Sequence, residues 1–478
     1  MRPAKGLVLA IIDGLTPGAL ERGLAAGRLP ALSGLADAGT YRHGTTVFPS
    51  LTPVCLSSIA TGAHPDVHGI PHLVWYHRGE ERIVEYGSSF AAMRAAGATR
   101  SFRDSVFEMS QAHLAPDATT VFEALEDAGR LPAAVNFTCY RGRTRHRIKL
   151  RVPAKNRWYE AAYGPRRFFF FNLFESDITG APLAVRSRED GSIDAYAAAI
   201  GRWLVTRDGF DFLVYYLPDY DYASHAAGPD GSHDALERAD ASIGHLLDAA
   251  GGVEEFLDRY AVIVCSDHGQ SASERAVRLQ DAFADLALFA GRRAGDPHHA
   301  DVVVTASNRA GMVYRLPACD VSVRELAERL DDEPGAGVVL FREDGLAVAR
   351  DGERELRFRP DAADWRLDGD AEVLDPDRHP NGLERAWHAL RCRNAGDVLV
   401  SAADGYEFAD LGGGHHVGGG SHGSLSAADS TVPVLAAGFE RDLLPEEPSV
   451  TDIAAVALAY LGVEVPSSMR GAAPSHAA

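Results

Sequence analysis

Short apolar runs that stop abruptly at polar residues recur along the chain, and between them apolar positions return every three or four residues. "GLVLAIID" (6–13), "AAVNFT" (133–138), "FDFLVYYLPDYD" (210–221), "AVIVCSDHG" (261–269) and "VPVLAAG" (432–438) are of the first kind. Continuous, β-branched runs of this length read as strands buried on both faces, as in a parallel sheet. "PALSGLADAG" (30–39, closed by Gly39), "TTVFEALEDAG" (119–129), "IDAYAAAIGRWLVTR" (193–207), "HDALERADASIGHLLDAA" (233–250) and "VTDIAAVALAYLGV" (450–463) are of the second kind and read as helices. This alternation predicts an α/β fold, a mostly parallel sheet with helices on both faces.

One region breaks the rhythm. "VVVTAS", "AGMVYRL", "GVVLFRED" and "GLAVARDG" read as strands around the helix "VRELAERLDD". Residues 301–400 are therefore expected to form a smaller α+β insertion, and residues 1–300 with 401–478 the main core. "GGGHHVGGGSHGS" (412–424) is a loop, either a slack connector or a backbone that shapes a site.

Bulk properties narrow the function classes. The 478 residues carry a formal charge of −20. That argues against general binding to nucleic acid or anionic membrane, although a local positive site for a phosphate stays open. No window approaches the roughly 18 apolar residues of a membrane helix. The N-terminal apolar run lacks a small-residue cleavage site and reads as a first strand. Five scattered cysteines with no CxxC pair give neither a disulfide framework nor a zinc ribbon. A cytoplasmic protein is the simplest expectation.

Acids and histidines gather where the strands end. Asp13 follows the first strand, and Asp219, Asp221 and His225 follow "FLVYYLP". Asp267 and His268 follow "AVIVCS", and His422 precedes "VPVLAAG". Ligands of open α/β sheets bind at the carboxyl ends of strands. Taken singly, Asp13 reads as a turn residue and Asp221-x-x-x-His225 as a chance helical pair. Taken together, six oxygen and nitrogen donors, split three and three, would make two zinc-type sites with open positions. "FPSLTPVCLSSIATGAHPDVHGI" (48–70) starts a helix near Thr52 and Pro53. A hydroxyl there is either a plain N-cap or a nucleophile whose anion the helix end favours.

These segments, in this order, resemble the alkaline phosphatase superfamily, and within it the nucleotide pyrophosphatase/phosphodiesterase and phosphonoacetate hydrolase branch. "LAIIDG", "FPSLT…ATGAHPDVHGI", "LPDYDYASHAAGP", "VCSDHGQS", "GSHGS" and "VTDIAAVALAYLGVEVP" carry the resemblance over most of the chain. It implies an alkaline phosphatase-like core and two divalent metal ions, zinc first, with manganese or iron as alternatives. It implies that Asp13, Asp267 and His268 hold one ion, that Asp221, His225 and His422 hold the other, and that Thr52 is the nucleophile. The implied reaction is hydrolysis of phosphodiester or pyrophosphate bonds through a phospho-threonine. A phosphomonoesterase, a phosphonate C–P hydrolase and an inactive metal-binding relative acting as a binding protein are the rival readings. The partner is a small phosphate ester or phosphonate.

Two positions depart from that branch. "TPVC" stands where it usually has T-F-P-N, and Leu73 stands where it has an Asn that contacts the phosphoryl oxygen. The sulfatase pattern is absent at Cys55. The segment 139–158 is basic in an acidic chain, with Arg141, Arg143, Arg145, Arg147, Lys149, Arg151, Lys155 and Arg157. From 141 to 151 every second residue is basic, so in a strand the charges share one face. That face is either an edge guarded against pairing or a flap whose Arg143 and Arg145 bind a distal anionic group of the substrate.

Overall fold

The computed structural model describes residues 5–153, 158–170, 174–176, 192–291, 296–362 and 364–469. The strands used below are β1 (Gly6–Ile12), β2 (Gly39–Thr45), β3 (Pro132–Val135), β4 (Arg167–Phe170), β5 (Phe174–Ser176), β6 (Phe212–Leu217) and β7 (Tyr260–Cys265). They continue with β8 (Val302–Ser307), β9 (Ala310–Arg315), β10 (Ala336–Glu343), β11 (Leu346–Asp351), β12 (Arg354–Asp361), β13 (Asp364–Gly369), β14 (Val398–Ala402) and β15 (Thr431–Ala437). The helices are α1 (Thr52–Thr61), α2 (Val121–Asp127), α3 (Ile193–Val205), α4 (Asp219–Ala227), α5 (His233–Ala250) and α6 (Asp452–Tyr460).

The main sheet has eight strands in the order β2-β15-β7-β1-β6-β3-β4-β5. Its centre, β7-β1-β6-β3-β4, is parallel throughout, while β15, β2 and β5 pair antiparallel. Alternate side chains of β1 leave by opposite faces, as a pleated strand requires. Leu7, Leu9 and Ile11 pack with Val54 and Leu56 of α1, Val121 and Leu125 of α2 and Ile453 and Val456 of α6. Val8, Ala10 and Ile12 pack on the other side with Leu204 of α3 and Leu236 and Ile243 of α5. The α/β architecture expected from the alternation of elements is the one observed.

A second, antiparallel sheet runs β8-β9-β14-β10-β11-β12-β13. One face holds Val302, Val304 and Val313 against Leu326 and Leu330 of the helix Val323–Asp331. The other holds Val303, Met312, Leu340 and Leu399 near Ala386 and Leu390 of the helix Gly382–Arg391. The sequence pattern anticipates only the first of these two helices. A further difference concerns Gly39, expected to close a helix. The helix ends at Asp37, and Gly39 opens β2 instead. A Cβ there would sit 2.3 Å from the carbonyl oxygen of Ala436, so the close approach of β15 requires glycine.

The basic segment forms a hairpin, Thr144–Pro153 paired with Trp158–Gly164. Arg143 donates to Glu123 and Asp127 of α2, at 2.8 Å each. Arg141 donates to Glu123 and to the carbonyls of Leu114 and Ala115. The side chains of Lys149 and Arg151, and all of Lys155 and Arg157, lie outside the described residues.

Candidate functional site

Because β1, β6 and β7 are parallel neighbours in register, the residues that follow them reach the same edge. Asp13 leaves β1, Asp221 and His225 ride on α4 after β6, and Asp267 and His268 follow β7. His422 comes from the glycine-rich loop. That loop is tightly packed: a Cβ on Gly419 would lie 2.0 Å from the carbonyl oxygen of His225.

The three histidines are held alike. His225 Nδ1 lies 2.8 Å from the carbonyl of Gly420, His268 Nδ1 3.0 Å from that of Gly269, and His422 Nδ1 2.8 Å from that of Ser50. A carbonyl only accepts, so each Nδ1 carries the proton and each Nε2 presents a lone pair. This is the support that metal-binding histidines ordinarily have. His268 Nε2 stands 3.3 Å from Asp13 Oδ1 and 3.5 Å from Asp267 Oδ2. His225 Nε2 stands 3.2 Å from Asp221 Oδ2, and His422 Nε2 3.9 Å from Asp221 Oδ1. Two donors on one tetrahedral zinc are about 3.4 Å apart, given bonds of about 2.0–2.2 Å.

The carboxylates are half satisfied. Asp13 Oδ2 accepts from the hydroxyl of Tyr216, and Asp267 Oδ1 from the backbone N–H groups of Gly14 and His268. Among the described residues Asp13 Oδ1 and Asp267 Oδ2 are buried with no hydrogen-bond partner. Those are the two oxygens that face His268. Burial, reinforced by Asp267 and Asp221, pushes the Asp13 carboxyl well above the usual range, and burial raises Asp267 too. Burial also opposes the charge of Asp221, but His225 outweighs it and holds that carboxyl low. Burial drives His422 well below the usual imidazole range. Three buried carboxylates with so little positive charge suit a cation, which would bring Asp13 and Asp267 back down and keep Asp221 charged and His422 neutral. Oxygen and imidazole donors of this kind fit zinc, and manganese or iron as well.

Thr52 is the first residue of α1, and among the described residues no backbone N–H donates to its hydroxyl. Its hydroxyl lies 3.1 Å from His268 Nε2. It borders a cavity of about 470 Å³ together with Asp13, Asp221, His225 and His422. Leu73, Tyr86, Phe102, Val106, Met109 and Phe170 give the same cavity an apolar wall. Phe102, Val106 and Met109 come from one stretch that includes a π-helix, Asp104–His113, a form that often marks functional sites. Arg143 and Arg145 do not line the cavity. Asp219 is engaged elsewhere: its carboxylate accepts from the Asp194 N–H, and its own N–H donates to the Asp194 carboxylate.

Four contributors escape a reading of the sequence. Tyr216 supports Asp13, and Gln270, directly after "SDHG", donates to Asp221. His416 stacks on His225 with ring centroids 4.0 Å apart and is held by Glu407. Asn308 donates to His422 at 2.9 Å. Only Gln270 carries a sequence signal, its adjacency to Asp267 and His268.

A separate group, His64, Glu384 and His388, lies within metal-binding reach. Its two imidazoles stack with ring centroids 4.3 Å apart and planes 13° apart. Among the described residues no helix is long and apolar enough to cross a membrane.

A parallel α/β sheet that gathers three aspartates, three histidines and a helix-terminal threonine at one edge defines an alkaline phosphatase-like hydrolase scaffold. Residues 7–425 match the type I phosphodiesterase / nucleotide pyrophosphatase family, and the chain belongs to that family of phosphoester hydrolases. Its fold is similar to that of phosphonoacetate hydrolase from Sinorhizobium meliloti 1021, solved with phosphonoformate: 19% identity, TM-score 0.57, covering 96% of this chain and 95% of the other. It is also similar to murine ectonucleotide pyrophosphatase/phosphodiesterase 5, solved as an inactive variant with AMP: 13% identity, TM-score 0.57, covering 96% of both chains. No protein of curated function matches the chain.

Proposed function

We propose that the protein is a two-metal hydrolase of phosphodiester or pyrophosphate bonds, with Thr52 as nucleophile. One observation supports this above the others: the Oδ1 of Asp13, the Oδ2 of Asp267 and the Thr52 hydroxyl all converge on one histidine nitrogen, His268 Nε2, which presents its lone pair to them. Asp13, Asp267 and His268 would hold one ion, and Asp221, His225 and His422 the other. Bound there, the ions supply Lewis acidity that favours an ionised hydroxyl and offsets charge on phosphoryl oxygens. Thr52 sits at the positive end of α1, which also favours its alkoxide. Its attack on phosphorus expels the leaving oxygen and forms a phospho-threonine, which water then cleaves.

The apolar wall favours a diester over a monoester. A monoester has only one organic substituent, whereas a diester brings a second group that Leu73, Phe102, Val106 and Met109 can cover. The full donor set beside Thr52 speaks against an inactive binding protein. Turnover of p-nitrophenyl phosphodiesters, p-nitrophenyl phosphate and a phosphonate, compared on one metal-loaded preparation, tests the reading. The diesters are expected to give the highest kcat/KM, and an equal or higher value for the monoester or the phosphonate overturns the preference.

A further inference from the structure

Asn308 lies beside His422 in a closely hydrogen-bonded turn. It lies in the two-residue turn between β8 and β9, where Ser307 pairs with Ala310. Its φ is +55°, a left-handed conformation that Asn tolerates better than most residues. Its side chain is buried, yet it borders the same cavity as Thr52, Asp221 and His422. Among the described residues it contributes the one carboxamide side chain on that lining.

The orientation of this amide follows from its neighbours. Ser50 offers His422 Nδ1 a carbonyl, so that nitrogen carries the proton and Nε2 is an acceptor. The group 2.9 Å from Nε2 must then be a donor, the Asn308 NH2. At the other end, the Ser307 hydroxyl donates to Asn308 Oδ1 at 3.1 Å. Both contacts put the NH2 on the His422 side.

The turn is also rigid. Arg309 donates its backbone N–H to the carbonyl of His422 at 2.8 Å. Its fully buried guanidinium donates to Asp429 at 2.9 Å and to the carbonyls of Tyr406 and Ala403 at 3.0 Å each. The carbonyl of Asn308 accepts from Phe408 N–H at 2.6 Å. A donor anchored in this way pays little reorganisation when charge develops beside it.

We propose that Asn308 is a catalytic residue that donates Nδ2–H to a non-bridging oxygen of the phosphoryl group. This rests on the two-metal reading above. A His422 that gives Nε2 to a metal would stop accepting from Asn308; the NH2 borders the same cavity and would need another acceptor, for which an anionic oxygen is suited. Leu73 borders the same cavity with hydrocarbon and offers no such donor. The donor therefore reaches the site from the second sheet, on a hairpin 114 residues before His422 in the chain.

Three variants test the assignment. Asn308→Gly keeps the positive φ and removes the amide. Asn308→Asp keeps the shape and removes the donor, and Asn308→Ala serves as a third reference. Each is loaded with zinc, and three quantities are read: metal content per chain, the affinity for inorganic phosphate by calorimetry, and kcat and KM on an aryl phosphodiester. The expected result is metal content equal to the wild type. Phosphate binding falls about tenfold and kcat falls on the order of a hundredfold, with KM nearly unchanged. Wild-type phosphate affinity and kcat in Asn308→Gly overturn the proposal. Loss of metal in step with loss of activity in all three variants also overturns it, because Asn308 would then only position His422. If the wild type turns over no phosphodiester, the hydrolase reading fails separately, and the phosphate affinities alone decide the role of Asn308.

Discussion

Tyr216 donates its hydroxyl to Oδ2 of Asp13, and Oδ1 of the same carboxylate is left facing His268 at 3.3 Å. One tyrosine thus decides which oxygen of a buried aspartate is committed and which is free. Hydrogen bonds behind a metal ligand typically contribute a factor of about 10–100 in metal affinity. Tyr216→Phe is expected to weaken binding of one zinc equivalent by about tenfold while the protein stays folded. Competition with a chromophoric chelator measures it, and two unchanged affinities refute it.

Thr52 separates chemistry from stability. Among the described residues no backbone N–H donates to its hydroxyl, so Thr52→Ala would remove the proposed nucleophile without removing a cap. Turnover is expected to drop on the order of a thousandfold or more. The melting temperature should hardly move, where loss of a capping Thr would cost about 1 kcal/mol. Turnover and thermal unfolding of the same preparation decide between the two.

Two aspartates on one helix turn should behave differently. Asp221 faces His225 and His422, whereas Asp219 faces Asp194. Asp221→Asn is expected to remove about one of two metal equivalents and nearly all activity, and Asp219→Asn to leave both metals bound. Elemental analysis after gel filtration reads the outcome. Equal metal content in the two variants would reassign the ligand.

Asp194 predicts a slope in stability against pH. Burial, helped by the charge of Asp219, pushes its carboxyl up to about 8. An unfolded Asp titrates near about 3.9. Between those values the native state keeps a proton that the unfolded chain releases, so stability falls as pH rises and is fully held only below the lower one. Asp194→Asn should lack this loss. The difference in unfolding free energy between variant and wild type, from denaturant titrations at pH 5 and pH 8.5, is expected to grow in the variant's favour. A difference independent of pH refutes the assignment.

Legibility in the sequence followed the range of the interaction. Asp13, Asp267 and His268 are readable because each adjoins an unmistakable strand, and strand ends converge in a parallel sheet. β2 is not readable: "GTYRHGT" is polar and opens with glycine because it is an edge strand pressed against β15. The helix Val253–Arg259, between α5 and β7, is too short for its period to emerge. Asn308 looks like an ordinary turn residue until His422, 114 positions later, is beside it. Arg143 illustrates the reverse failure. Its alternation with other basic residues suggests a charged face, but Glu123 and Asp127 on α2 neutralise it locally.

The glycine-rich loop carries a lesson about composition. Gly419 and Gly420 lie against the backbone of α4 so closely that any side chain would collide with His225 or Ser224. The distance between helix and loop is therefore set by main chain touching main chain. His225 and His422, 197 positions apart by number, are gauged against each other by that contact and by the Gly420 carbonyl that His225 holds. A stretch whose composition suggests slack works as a spacer of fixed thickness, and the width of the gap between His225 and His422 is written in residues that have no side chains at all.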